Sequence, residues 1–228
     1  MRPGLQMVTA FHNDTTNANG YVGVNPSAGY IIVAFTGTNP LSIKNWIDDI
    51  DTIPTSYSAC SGCAVHEGFY HTYLSVQDEV RNGFRSILLK YPNLPVQVTG
   101  HSLGAVLAEL GALDLIQTFR VRVSSMYHFG GPRLGNDAFT RYLLSSIGEV
   151  YRVTHWMDPV PHLPPEAFGF VHNPQEVFYN DDQSSYTLCS STNGEDPSCS
   201  DQFVLDADIP DHLNYIGFDF VSNYLSCL

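Results

Sequence analysis

Basic side chains are scarce in this chain. Ten Lys and Arg stand against 23 Asp and Glu, for a formal net charge of −13 over 228 residues. That balance argues against a nucleic-acid partner, which needs a basic stripe. It also disfavours electrostatic docking on an anionic membrane. Long apolar runs are missing too. No stretch approaches ~18 consecutive apolar residues, so no transmembrane helix is expected. The opening residues Met1-Arg2-Pro3-Gly4-Leu5 lack the apolar core that a signal peptide carries. No internal repeat and no linker divides the sequence. An α/β chain of this length is most economically one domain, and 43% apolar content suits a large core.

Cysteine is limited to five residues. Cys60-Ser61-Gly62-Cys63 has no second Cys-x-x-Cys to complete a zinc site, and no thioredoxin-like βαβ unit surrounds it. His66 and His71 are five apart rather than four, so they do not share a helix face as metal-binding His-Glu-x-x-His does. No metal and no cofactor are expected. Two short local disulfides are expected instead, Cys60 with Cys63 and Cys189 with Cys199 across a polar loop. Cys227 is then odd: an intermolecular bond, a free thiol, or half of a bridge whose partner is missing. Asn13-Asp14-Thr15 is a glycosylation sequon. Together these features favour an oxidising, secreted setting.

The residues that carry chemistry lie mid-chain. Val98-Thr99-Gly100-His101-Ser102-Leu103-Gly104-Ala105 takes a β-branched run into Gly-x-Ser-x-Gly, and a helix-forming stretch, Ala105 to Gln117, follows. That is the strand–turn–helix setting of a nucleophile elbow. The turn is tight enough to demand glycine at 100 and 104. It exposes the Ser102 hydroxyl beside a helix N-terminus that favours a developing oxyanion.

Around this centre the sequence reads as alternating strands and helices. Strands are expected at Gln6–His12, Tyr21–Asn25, Tyr30–Phe35, Val96–Thr99, Val121–Phe129 and Glu149–His155, with short ones near Val177–Tyr179 and Tyr186–Leu188. The continuously apolar Tyr30–Phe35 suggests a strand buried on both faces. Residues 13–20 read as a loop. One long helix is expected over Glu67–Leu89, burying Leu74, Val80, Phe84, Ile87 and Leu88. Others are expected at Ala138–Ser146 and over 213–225. Residues 41–50 place Ile43, Trp46, Ile47 and Ile50 at i, i+3, i+4, i+7, one apolar face.

A serine nucleophile needs a base and a group to orient it. The expected chain order is serine, acid, histidine. Asp158 follows the strand Tyr151–His155, although a turn aspartate before proline is also common. His212 lies in the late loop Ile209-Pro210-Asp211-His212, where it could equally be a helix-start residue. His101 is expected to point away from Ser102, and His155 to be a packed core histidine.

Several ordered segments resemble one family. They are Phe35-Thr36-Gly37-Thr38, Asn45-Trp46-Ile47, Val65-His66-Glu67-Gly68-Phe69, Gly100–Ala105, Gly131-Pro132-Arg133-Leu134-Gly135-Asn136, Arg152-Val153-Thr154-His155, Asp158-Pro159-Val160-Pro161-His162-Leu163-Pro164 and Asp211-His212. Over roughly residues 20–225 the chain is similar to fungal class 3 lipases of the Rhizomucor and Thermomyces type and their feruloyl esterase relatives. The resemblance implies an α/β-hydrolase-type three-layer fold: a central, mostly parallel sheet and a lid helix. It implies Ser102, Asp158 and His212 as the triad, with the oxyanion held by Thr38 and the backbone N–H of Leu103. Two departures stand out. Thr36 occupies a position where the family usually has Arg or Lys. The family also carries a helix, and a cysteine that pairs with the C-terminal one, before the first strand; on that reading the partner of Cys227 is missing.

Residues 39–50 resemble the family's lid. Their apolar face favours long-chain acylglycerols at a lipid–water interface, by transient contact with the lipid surface. A feruloyl-type or other soluble-ester esterase, which would have a more polar lid, remains the alternative. So do a lipid acyltransferase sharing the triad and an inactive binding protein on the same fold. A monomer is expected.

Overall fold

The computed structural model describes residues 4–205 and 207–226. Cys227 and the first three residues lie outside that range, so the expectations resting on them are not addressed. In chain order the elements begin with β1 (Gln6–Asn13), β2 (Ala18–Asn25), β3 (Tyr30–Phe35) and α1 (Ile43–Asp48). A small hairpin of β4 (Pro54–Ser56) and β5 (Ala64–His66) precedes α2 (Glu67–Leu74) and α3 (Gln77–Leu88). Then come β6 (Val96–His101), α4 (Leu103–Phe119), β7 (Val123–Phe129), α5 (Asp137–Ser146) and β8 (Val150–His155). The chain continues with β9 (Glu176–Tyr179), β10 (Tyr186–Leu188), α6 (Ile209–His212), β11 (Asn214–Tyr215), β12 (Phe218–Asp219) and α7 (Phe220–Leu225).

Eight strands form one sheet in the order β1-β2-β3-β6-β7-β8-β9-β10. β3, β6, β7, β8 and β9 run parallel, as their helical crossovers require, and the edge pairs are antiparallel. This is the expected mostly parallel α/β sheet. Helix α4 is buried along most of its length, from Leu103 to Leu115, against the sheet. The expected disulfides Cys60–Cys63 and Cys189–Cys199 are both formed.

Four readings need correction. The helix expected over Glu67–Leu89 is two helices, and Leu74, expected inside, is exposed. The break has a long-range cause. Asn13 Nδ2 donates to the carbonyl of Ser75 at 3.3 Å, and the Thr16 and Ser75 hydroxyls meet at 2.7 Å. The turn between β1 and β2 therefore captures the backbone where the helix would continue. Residues 213–225 are not one helix but a two-strand hairpin followed by α7. Its turn, Ile216-Gly217, has both φ angles positive, 52° and 70°, and Asp219 caps α7 by accepting from Val221 N and Ser222 N. β2 starts at Ala18, inside the expected loop. Tyr30–Phe35 is not buried on both faces: Ile31, Val33 and Phe35 are inside, and the residues between them are half-buried.

Candidate active site

The elbow is built as the glycines demand. Ser102 has φ 57° and ψ −128°, a conformation that L residues rarely adopt. A Cβ on Gly100 would lie 2.0 Å from the carbonyl oxygen of Gly104, and one on Gly104 2.4 Å from that of Phe35. Only glycine lets β6, the turn and α4 approach this closely. Ser102 N donates to Phe129 O at 2.9 Å, tying the turn to the end of the neighbouring strand.

His212 ends the one-turn helix α6, and its Nδ1 lies 3.0 Å from each oxygen of Asp158. A carboxylate only accepts, so Nδ1 carries the proton and Nε2 presents a lone pair. Asp158 has two further partners. Val160 N donates to Oδ1 at 2.8 Å, and the Tyr215 hydroxyl donates to Oδ2 at 2.5 Å. Burial, reinforced by the Asp158 charge, pushes the Tyr215 phenol well above its ordinary range, so it remains a donor. Tyr215 escaped sequence reading because residues 213–225 read as a helix; the turn-forming Ile216-Gly217 was the available signal.

Thr38 follows Gly37, whose absent side chain lets the loop press on the nucleophile: a Cβ there would be 2.8 Å from His101 O and 3.0 Å from Ser102 Cβ. Leu103 opens α4, whose first-turn N–H groups lack intrahelical acceptors. Three buried side-chain atoms here have no hydrogen-bond partner: Ser102 Oγ, His212 Nε2 and Thr38 Oγ1. Buried polar atoms are rarely left so. The Ser102 hydroxyl, the second ring nitrogen of His212 and the Thr38 hydroxyl are thus left unengaged by the described residues. Ser102 and His212 are 1% and 0% exposed, so the serine hydroxyl expected to be exposed at the elbow is instead buried.

The amphipathic segment lies over this region. Ile43 is buried, Trp46, Ile47 and Ile50 are half-buried, and Lys44 pairs with Asp48 on the outer face at 2.8 Å. Trp46 stacks on Phe69, with ring centroids 6.2 Å apart, and Phe69 stacks on His66 at 4.0 Å. A cavity of about 280 Å³ lies beneath, lined by Trp46, Ile50 and Phe69 on one side and by Thr38 and Leu103 on the other. A larger cleft of about 730 Å³ lies against His212, between Phe35, Ile43, Phe218 and Phe220.

Three other histidines, His66, His155 and His101, have structural partners. His66 accepts from Phe69 N through Nδ1, capping α2, and its Nε2 meets Asp51 O at 2.9 Å. His155 is buried with both ring nitrogens on backbone carbonyls. His101 is buried at the end of β6. Its ring stacks on Phe220 and its Nε2 reaches the carbonyl of His212, a contact the sequence did not suggest.

A family model described as lipase (class 3) matches residues 32–168. A Rhizomucor miehei lipase is 36% identical over 218 residues, which is 94% of this chain. The chain spans 60% of that relative's length. Among solved structures, lipase II from Rhizopus niveus superposes with a TM-score of 0.90 at 34% identity, covering 95% of this chain and 82% of that one. A triacylglycerol lipase whose catalytic centre is a serine protease triad superposes with a TM-score of 0.87 at 35% identity, covering 95% and 82%.

Proposed function

The chain belongs to the class 3 lipase family, and from that premise we propose that it is a secreted serine ester hydrolase acting on acylglycerols at a lipid–water interface. The observation that carries this reading is the strained glycine elbow at Ser102 together with the His212–Asp158 pair at 3.0 Å, with Ser102 Oγ and His212 Nε2 left unpartnered. In the proposed mechanism Ser102 Oγ attacks the ester carbonyl carbon as His212 Nε2 takes its proton. Asp158 holds the imidazole in the required tautomer and stabilises the imidazolium. Thr38 Oγ1 and the backbone N–H of Leu103 donate to the oxyanion. Collapse of the tetrahedral intermediate expels the alcohol, protonated by His212, and leaves Ser102 acylated. Water, activated by the same imidazole, then releases the fatty acid.

Residues 39–50 act as the lid. Ile43 and Trp46 face inward, so opening would expose apolar surface to water at a cost, and a lipid phase removes that cost by burying the same side chains. This favours acylglycerols over dissolved phenolic esters. The two disulfides support secretion. The test compares emulsified long-chain triglyceride, a dissolved short ester and methyl ferulate, each with the unaltered enzyme and with Ser102→Ala. Highest turnover on the emulsion, with losses on the order of 10⁶ in the variant, is expected. Preference for methyl ferulate would make this a soluble-ester esterase. Activity retained by the variant would remove Ser102 from the chemistry.

A further inference from the structure

Asp158 orients the ring of His212, but it does not hold the backbone from which that ring hangs. Helix α6 is a single turn, too short to be stable by itself. Its neighbours tie it to the end of β8: Asp208 N donates to Met157 O at 2.9 Å, and Met157 N to Asp211 Oδ2 at 3.1 Å. Two buried histidines complete the attachment. His155, the last residue of β8, places Nδ1 2.9 Å from the carbonyl oxygen of Asp211. His101, the last residue of β6, places Nε2 2.8 Å from the carbonyl oxygen of His212 itself. Consecutive peptide oxygens are therefore held by imidazoles from two strand ends of the sheet.

Carbonyl oxygens only accept, so His101 meets the His212 carbonyl through a proton on Nε2, and His155 meets the Asp211 carbonyl only in a form that carries a proton on Nδ1. His155 Nε2 also lies 3.0 Å from Asp181 O, which links the same ring to the turn after β9. Its other neighbours are the Asp211 carboxylate, 3.9 Å from Nδ1, and the Tyr215 ring, edge-on at 5.8 Å. Burial, and next the proximity of His212, hold the His101 imidazole well below its ordinary range, so it is a neutral donor. It is gripped between Phe220, stacked at 3.9 Å, and the His212 ring at 4.6 Å.

We propose that His155 and His101 are positioning residues for His212, setting the height and tilt of the catalytic imidazole by clamping the carbonyls of Asp211 and His212. This rests on the reading of His212 as the base of a serine hydrolase. Geometry of this kind matters because a 1 Å misplacement can cost on the order of a hundredfold in rate.

The test uses the isosteric relation between side-chain amides and the two imidazole nitrogens. Asn carries its N–H where imidazole carries Nδ1, and Gln carries it where imidazole carries Nε2. Each variant is titrated with a p-nitrophenyl alkylphosphonate, which labels the serine of competent sites, and kcat and KM on a dissolved short ester are expressed per labelled site. His155→Ala and His101→Ala should each lower kcat on the order of tenfold to a hundredfold with KM little changed. His155→Asn should restore kcat to within about threefold of the unaltered enzyme and His155→Gln should not; at position 101 the order reverses, with Gln rescuing and Asn failing. A purely structural role would lower the melting temperature without moving kcat per labelled site. Unmoved kcat, or the same order at both positions, overturns the proposal. Proton–nitrogen correlation spectra of the unaltered enzyme test the clamp without substitution. They should show a proton on Nδ1 of His155 and on Nε2 of His101, and a bare nitrogen at either position also overturns it. An unaltered enzyme that takes no phosphonate would instead defeat the serine-nucleophile reading, while the spectra still judge the two carbonyl contacts.

Discussion

At the scale of single residues, Asp158 has the most crowded environment in the site. Its two oxygens accept from His212 Nδ1, Val160 N and the Tyr215 hydroxyl. Asp158→Asn preserves the shape but offers an amide N–H to Nδ1, which favours the tautomer with its proton on Nε2, the wrong one for a base. Turnover on a dissolved short ester should fall by roughly 10⁴ with little change in KM. A loss under about tenfold would assign the imidazole's orientation to another group. Thr38 poses a narrower question. Its hydroxyl is buried and unpartnered, so it is available to a developing oxyanion. Thr38→Val keeps the volume and removes the donor, and the analogous loss elsewhere is worth about 2.7–4 kcal/mol, a hundredfold or more in kcat. Steady-state kinetics on the same ester would measure it, and an unchanged kcat would mean that backbone N–H groups suffice.

At the scale of elements, what could be read from the sequence was whatever local chemistry determines. The elbow was legible because Gly100, Ser102 and Gly104 admit few alternatives between a β-branched strand and an uninterrupted helix former. The pairing of Cys60 with Cys63 was legible because only two residues lie between them. Asp158 and His212 could be nominated, but their 54-residue separation could not reveal the bidentate contact at 3.0 Å. What was hidden depends on distant partners. The break after Leu74 is made by Asn13 and Thr16, about sixty residues away. The hairpin after His212 serves Tyr215, whose partner is on another strand end. The segment 41–50 lies between these cases. Its apolar periodicity was plain, whereas the stacking of Trp46 on Phe69, and of Phe69 on His66, was not. That packing gives a lid prediction. Trp46→Ser weakens the shut state and also removes the largest side chain available to a lipid phase, with Leu41 and Ile53 exposed on either side. Activity on emulsified long-chain triglyceride should fall several-fold more than activity on a dissolved short ester, since full burial of such a side chain contributes ~1.5–3 kcal/mol. Equal losses on both substrates would make α1 a fixed surface helix.

At the scale of the whole molecule, the acidic excess of −13 keeps the chain soluble and says little about its fold. Stability against pH depends more on the few titratable groups sealed inside. Glu109 on α4 and His128 on β7 face each other across the helix–sheet interface, with Glu109 Oε1 3.4 Å from His128 Nε2. Burial dominates both groups. It pushes Glu109 up from 4.5 to about 8, against the opposing pull of Arg152, and drives His128 from 6.5 down to about 3 with Arg152 assisting. At neutral pH the pair is thus a carboxylic acid beside a neutral imidazole rather than an ion pair. The two groups act on stability in opposite directions. Folded His128 resists protonation, so the stability it contributes is present above pH 6.5 and is lost as pH falls toward about 3. Folded Glu109 retains a proton that the unfolded chain releases, so its contribution is complete below pH 4.5 and is lost as pH rises to about 8. Above pH 6.5 only the Glu109 slope remains, at most about 1.4 kcal/mol per pH unit. Glu109→Gln fills the same space with a group that does not titrate. The melting temperature of the unaltered enzyme relative to this variant should therefore fall steadily between pH 5 and 8 and level off beyond about 8. A difference constant across that range would show that Glu109 is ionised in the folded protein, with Arg152 rather than burial controlling its charge.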